Sequence, residues 1–183
     1  MEKFYLSSEV LNFWFSEEVK SLWFKKSIDF DSKIKRLFLE TYQLAKAGKL
    51  DSWQELADSA LALIILLDQF PRNMFRHSPQ AFATDAQAVR VTEFAISNNY
   101  QQSLSTDRQV FLYMPLMHSE NKANQAQCVD LFEKLGKEDN LKFAIKHKKI
   151  IDRFGRFPHR NQILGRESSI AEKEFLTQPG SSF

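Results

Sequence analysis

The sequence predicts an all-α protein of antiparallel helical hairpins, and three observations carry that expectation. Apolar residues recur at three- and four-residue steps in segment after segment of the 183-residue chain. No stretch alternates apolar and polar residues over the length of a strand. Five glycines and five prolines are too few for the many tight turns of an all-β fold.

The elements follow in order. Ser7 or Ser8 opens a first helix carrying Val10, Leu11, Phe13, Trp14 and Phe15, too apolar to stay exposed. A short second helix is expected over 17–24, with Glu17 and Glu18 in the first turn, where the helix dipole favours acids. From Asp29 to Ala47 the residues Phe30, Ile34, Leu37, Phe38, Tyr42 and Ala45 form one apolar stripe, and Gly48 supplies a left-handed stop. Ser52 with Glu55 reads as a capping box for a helix from Trp53 to Gln69, whose Ala60–Leu67 run makes it the most buried of all. Pro71 is expected to end that helix at Phe70, because proline disfavours helical geometry in the residue before it.

Further starts are read at Ser78-Pro79 and Thr84-Asp85, with Asn98 and Asn99 closing the second of these helices. A helix from Thr106 meets Pro115, which must kink or restart it. Ser119 would cap the next helix, with Glu120 in its first turn and Gly136 at its end. Asp139 or Asn140 would cap a helix reaching Phe154 and stopped by Gly155, and Ser169 with Glu172 makes a capping box for a short last helix. The chain length fits one domain, 1–183, with a tail fraying from about 177.

Composition narrows the function classes. A single cysteine, Cys128, and a Met1-Glu2-Lys3 start with no basic-then-apolar leader predict a cytoplasmic protein. The longest apolar run falls far short of the ~20 residues a membrane span needs, so no membrane partner is expected. The net charge of +2 does not favour nucleic acid. Its distribution is uneven: between Lys142 and Arg166 there are eight basic residues and one acid, Asp152. That segment is either a solvated helix face or an anion site.

No phosphate loop, nucleophile elbow or paired cysteines are present. The histidines His77, His118, His147 and His159 lack the spacing of helix-borne metal sites, so no metal or cofactor is expected. Cys128 sits with Leu131, Phe132 and Leu135 at helical spacing, the pattern of a small buried hydrophobe. His147 shares its face with Phe143, Ile150, Ile151 and Phe154, so its ring should be mostly buried with a hydrogen-bond partner, as a core histidine or a catalytic one.

Asp68 ends the most apolar run and calls for a cation, with Arg72 and Arg76 nearest. Two segments resemble one another: Phe70-Pro71-Arg72-Asn73, and Phe157-Pro158-His159-Arg160-Asn161, which follows Arg156. Each holds a guanidinium and an amide on stiff backbone after a Phe-Pro break, suited either to gripping an anion bidentately or to satisfying helix ends and Asp68. The ligand-binding candidates are therefore Asp68, Arg72, Asn73, Arg156, His159, Arg160 and Asn161, with Arg72 and Arg160 expected to face one cavity. His118, Glu120 and His147 are the candidates for proton transfer.

The segments Val10–Phe15, Trp23-Phe24, Leu61–Asn73, Phe111–Glu120 and Ile151–Arg166, the last with its Arg-Phe-Gly-Arg-Phe-Pro-His-Arg-Asn core, resemble the bacterial family known as domain of unknown function 924. The resemblance implies a tetratricopeptide-like stack of helix pairs and transfers no activity. The leading expectation is a small-molecule protein, binder or enzyme, with a pocket for an anionic phosphate or carboxylate ligand. A helical scaffold for a protein partner is the alternative, and RNA binding through the basic stretch the third.

Overall fold

The computed structural model describes residues 4–182, and among them every regular element is helical. The α-helices are α1 (Ser7–Trp14), α2 (Glu17–Lys20), α3 (Ile28–Lys46), α4 (Ala57–Ile64), α5 (Phe70–Met74), α6 (Asp85–Ser97), α7 (Thr106–His118), α8 (Lys122–Leu135), α9 (Glu138–Phe154) and α10 (Ile170–Leu176). The chain divides into two compact units. The first comprises Met1–Arg76 with Gln80–Pro115, the second His77–Pro79 with Leu116–Phe183.

In the first unit α4 packs on α1 and α6, while α5 packs on α3. The whole Ala60–Leu67 run is buried, as its lack of a polar face requires. Aromatic rings fill the surroundings. Trp14 meets Phe70 and Phe111 edge-on, and Phe38 lies 4.7 Å from Phe70 between ring centroids.

The expected Trp53–Gln69 helix is corrected at both ends. Asp51–Glu55 forms a 3-10 turn instead, so the Ser52 and Glu55 capping box is not used, and α4 starts at Ala57 with no side-chain cap. Pro71 does not end the helix. Residues Ile65–Gln69 widen into a π turn, closed by the Phe70 N–H donating to the Ile65 carbonyl, and the chain continues helically through Pro71 to Met74. A proline lacks the N–H that would reach the carbonyl four residues back, and its ring crowds that carbonyl. The widened turn gives the ring room, and the orphaned Leu67 carbonyl accepts the Thr84 hydroxyl at 2.6 Å.

α7 runs through Pro115 without restarting. The carbonyl left without the proline's N–H is that of Phe111, four residues back, while the neighbouring Leu112 carbonyl accepts the Thr92 hydroxyl at 3.1 Å. Thr84 and Thr92 are both fully buried and stand eight residues apart, two turns of α6. Thr84 is at the cap position of α6, as expected, but its side chain makes no cap bond because it serves Leu67.

In the second unit α8 and α9 form an antiparallel hairpin through Gly136, whose φ of +71° is the left-handed stop expected there. Gly155, at φ +72°, ends α9 likewise. Asn121 rather than Ser119 caps α8, accepting from the N–H groups of Ala123 and Asn124. Glu120 consequently lies in the connection before the helix, not in its first turn. α9 begins one residue ahead of the expected Asp139 or Asn140 caps, with Lys137 at the cap position. The second helix is also shorter than expected, ending at Lys20. The Ser169 and Glu172 capping box forms as read.

Candidate functional site

The expected candidates fall into two groups, one in each unit. In the first unit, Asp68 is entirely buried within the π turn and hydrogen-bonded by the Gln69 side-chain amide. Arg72 lies 3.3 Å from Asp68 and grips Asp85 with two bonds of 2.8 and 3.0 Å, while its Nη1 also donates to the Asp68 carbonyl. Burial alone would lower the Arg72 pKa, but the two carboxylates outweigh it and hold the pKa above its ordinary value. Arg76 pairs with Asp31 rather than Asp68, through Nε at 2.7 Å and Nη2 at 2.8 Å, and Asn73 donates to the same carboxylate. Asp31 and Asp85 were not singled out from the sequence. Nothing in their local pattern separates them from other acids at helix starts.

In the second unit the Phe-Pro segment after α9 builds a denser arrangement. Phe157 is fully buried, and its ring touches three candidates: His147 edge-on at 5.5 Å, His159 at 5.6 Å and the Arg160 guanidinium at 4.7 Å. The His118 ring lies 6.4 Å from that of His147. Two imidazoles and a guanidinium, from the middle of α9 and the turn after it, thus gather around one phenyl ring, and a third imidazole, from the end of α7, lies beside His147.

His147 is only 5% exposed. Its Nδ1 lies 2.8 Å from the Phe143 carbonyl, which can only accept, so Nδ1 carries the proton and Nε2 the lone pair. Burial, aided by the charges of His118, Arg160 and His159, pushes its pKa down to about 3. The ring is therefore neutral at physiological pH.

Hydrogen bonds fix the segments that present these rings. At the end of α7, the buried Gln125 amide donates to the carbonyls of Met117 and Ser119, each at 2.7 Å, and of Leu116 at 3.3 Å. Arg160 Nη2 donates to the carbonyl of His118 at 3.0 Å. Four consecutive carbonyls at the negative end of a helix are thereby satisfied by side chains. Glu120 accepts the Phe157 N–H at 2.7 Å and is held bidentately by Arg166 at 2.7 and 3.0 Å. Burial would raise the Glu120 pKa, yet Arg166 and the Phe157 N–H hold it below the ordinary carboxylate value. Arg166 also donates to the Phe157 carbonyl and to Asn161 Oδ1, and Asn161 donates to Ser168.

Arg156 is occupied elsewhere. It grips Glu172 at 2.7 and 2.8 Å, and chiefly for that reason the Glu172 pKa falls to about 2. Cys128 is buried, and burial pushes its thiol up to about 12, as befits an inert core residue. Among the described residues no group of three or more His, Cys, Asp or Glu side chains is arranged to hold a metal ion. Sequence reasoning missed the roles of Gln125, Phe157 and Arg166. Only the position of Phe157 and Arg166 inside the Arg-rich segment hinted at them.

Comparison with known proteins agrees with this architecture and adds no activity. A family model described as a bacterial protein of unknown function, DUF924, matches residues 10–180. No curated protein matches the chain. A solved structure, a protein of unknown function, ATU0120 from Agrobacterium tumefaciens, is similar with a TM-score of 0.88 and 40% identity, covering 93% of this chain and 96% of that one.

Proposed function

Because the chain belongs to the DUF924 family of bacterial proteins of unknown function, its chemistry has to be argued from its own residues, and we propose that the second unit binds a small anion, phosphate or carboxylate, at the cluster around Phe157. The observation that carries this reading is the convergence of His118, His159 and the Arg160 guanidinium on the buried His147. An anion placed among them would gain charge-assisted hydrogen bonds from Arg160 and from whichever imidazoles are protonated.

Glu120, which Arg166 holds bidentately, also bears electrostatically on Arg160, so a bound anion would add to a charge that Glu120 already answers in part. His147 is neutral in this setting. Its basicity is too low for general-base work at neutral pH, where an efficient base has a pKa near 7. Glu120, held ionised by its partners, is equally unsuited to donate a proton. The reading is therefore primarily one of binding, with His118 as the remaining candidate for proton transfer.

The test is a titration of the histidine imidazole NMR signals with inorganic phosphate and with citrate at constant ionic strength, sodium chloride serving as control. Bound anion should raise the apparent pKa of His159 and His118 and raise the melting temperature by an amount that grows with concentration. His159→Gln should weaken both effects at least ~5-fold, equivalent to losing a contact of about 1 kcal/mol. Absence of any shift with either anion at tens of millimolar overturns the reading.

A further inference from the structure

α9 presents a second surface, on the side away from its buried residues. Lys142, Lys146, Lys149 and Arg153 are all exposed and follow one another at steps of four, three and four residues. At 3.6 residues per turn they fall within a sector of about 60° and extend over about 16 Å of the helix. The inward residues Ala144, His147, Ile150 and Ile151 lie on other sides of the same helix. Four cations in register along a rigid rod form a linear charge pattern.

Little inside the protein answers those charges. Lys142 lies 3.2 Å from Asp139, but both side chains are well exposed and such a pair is readily exchanged. Among the described residues no carboxylate pairs with Lys146, Lys149 or Arg153. Two of the cations are instead steadied by rings: Lys146 sits 5.3 Å above Phe143, and Arg153 lies 4.6 Å from Phe154 and 5.9 Å from Phe175. Phe143 and Ile145 border the stripe on either side and are 49% and 37% exposed. The pattern is thus a basic seam with apolar margins.

We propose that this face of α9 docks an acidic amphipathic helix of a partner protein. Such a helix carries carboxylates at the same three- and four-residue steps, so its charges can meet the seam in register, while its flanking apolar residues cover Phe143 and Ile145. Single-stranded nucleic acid is the poorer fit. It is gripped by stacking successive bases on open aromatic faces. Here the one well-exposed ring of α9, Phe143, lies under Lys146. The inference is independent of the anion cluster, since it uses none of its residues.

The experiment uses the full chain and a labelled synthetic helical peptide of about twenty residues, with Glu at i, i+4, i+7 and i+11 and Leu beside them, the pattern dictated by the helical period. A Gln version of the peptide, an oligouridylate and phosphatidylserine vesicles are measured in parallel. The Glu peptide should bind at low salt and weaken at least ~10-fold at several hundred millimolar salt, as screening requires. The double variant Lys146→Glu with Lys149→Glu should lose binding to the same degree while melting like the parent, since both residues are exposed. No binding, or equal binding of the Gln peptide, overturns the proposal. So does oligouridylate or vesicle binding that matches the Glu peptide and vanishes in the double variant.

Discussion

His147 shows how far one residue could be read in advance. Its position on the apolar stripe of α9 foretold a buried, partnered ring, and the Phe143 carbonyl is that partner. Its surroundings were not legible, because His118, His159 and Arg160 reach it from other segments and no local period links them. Burial places its pKa in the folded state, about 3, below the unfolded value of 6.5. The unfolded chain therefore binds the extra proton first on acidification. The stability associated with a neutral His147 is complete above about pH 6.5 and is lost as pH falls from there towards 3, at no more than about 1.4 kcal/mol per pH unit. Urea midpoints of the parent and of His147→Phe at pH 7.5 and pH 5 check this. The parent should lose more stability between the two pH values than the variant, whose ring cannot titrate. Parallel losses would show that other groups set the acid limit.

At the level of elements, what was legible was whatever depends on neighbours in sequence. The stripe of α3, the glycine stops after α8 and α9, and the Ser169 capping box are all local and all present. The starts of α4 and α8 were misread because the cap residues found other partners or were displaced. Ser119 instead accepts from the Asn121 N–H and the Asn124 amide, two and five residues on. The end of α7 illustrates a cap that no window of sequence reveals, since its donors come from α8 and from the turn after α9. Gln125→Leu removes the amide from three carbonyls of residues 116–119. It should cost roughly 1–3 kcal/mol, the usual penalty for buried polar groups left unsatisfied. Denaturant midpoints measure the loss, and hydrogen exchange at the end of α7 should quicken. A change under about 0.5 kcal/mol would mean that water replaces the amide without penalty.

For the molecule as a whole, the all-α class followed from composition and period, and the family match and the similar solved structure agree with it. One boundary between the two units, after Pro115, falls inside α7, where no linker composition marks it. Global stability should depend most on the α4 run. Leu61→Ala, at a fully buried position, should cost about 2–5 kcal/mol. For a chain of this size that lowers the melting temperature by roughly 5–20 °C. Calorimetry checks this, and a drop of only a degree or two would show that the neighbours collapse into the space. The hydroxyl of Thr84 has a consequence on a longer timescale. It is needed where Pro71 leaves the Leu67 carbonyl short of its usual partner, so residues 71 and 84 are an epistatic pair. A lineage that lost Pro71 would regain the missing backbone donor and relax selection on Thr84. One that lost Thr84 first would pass through a less stable intermediate, so the order of substitution, and not only its outcome, is constrained by the fold.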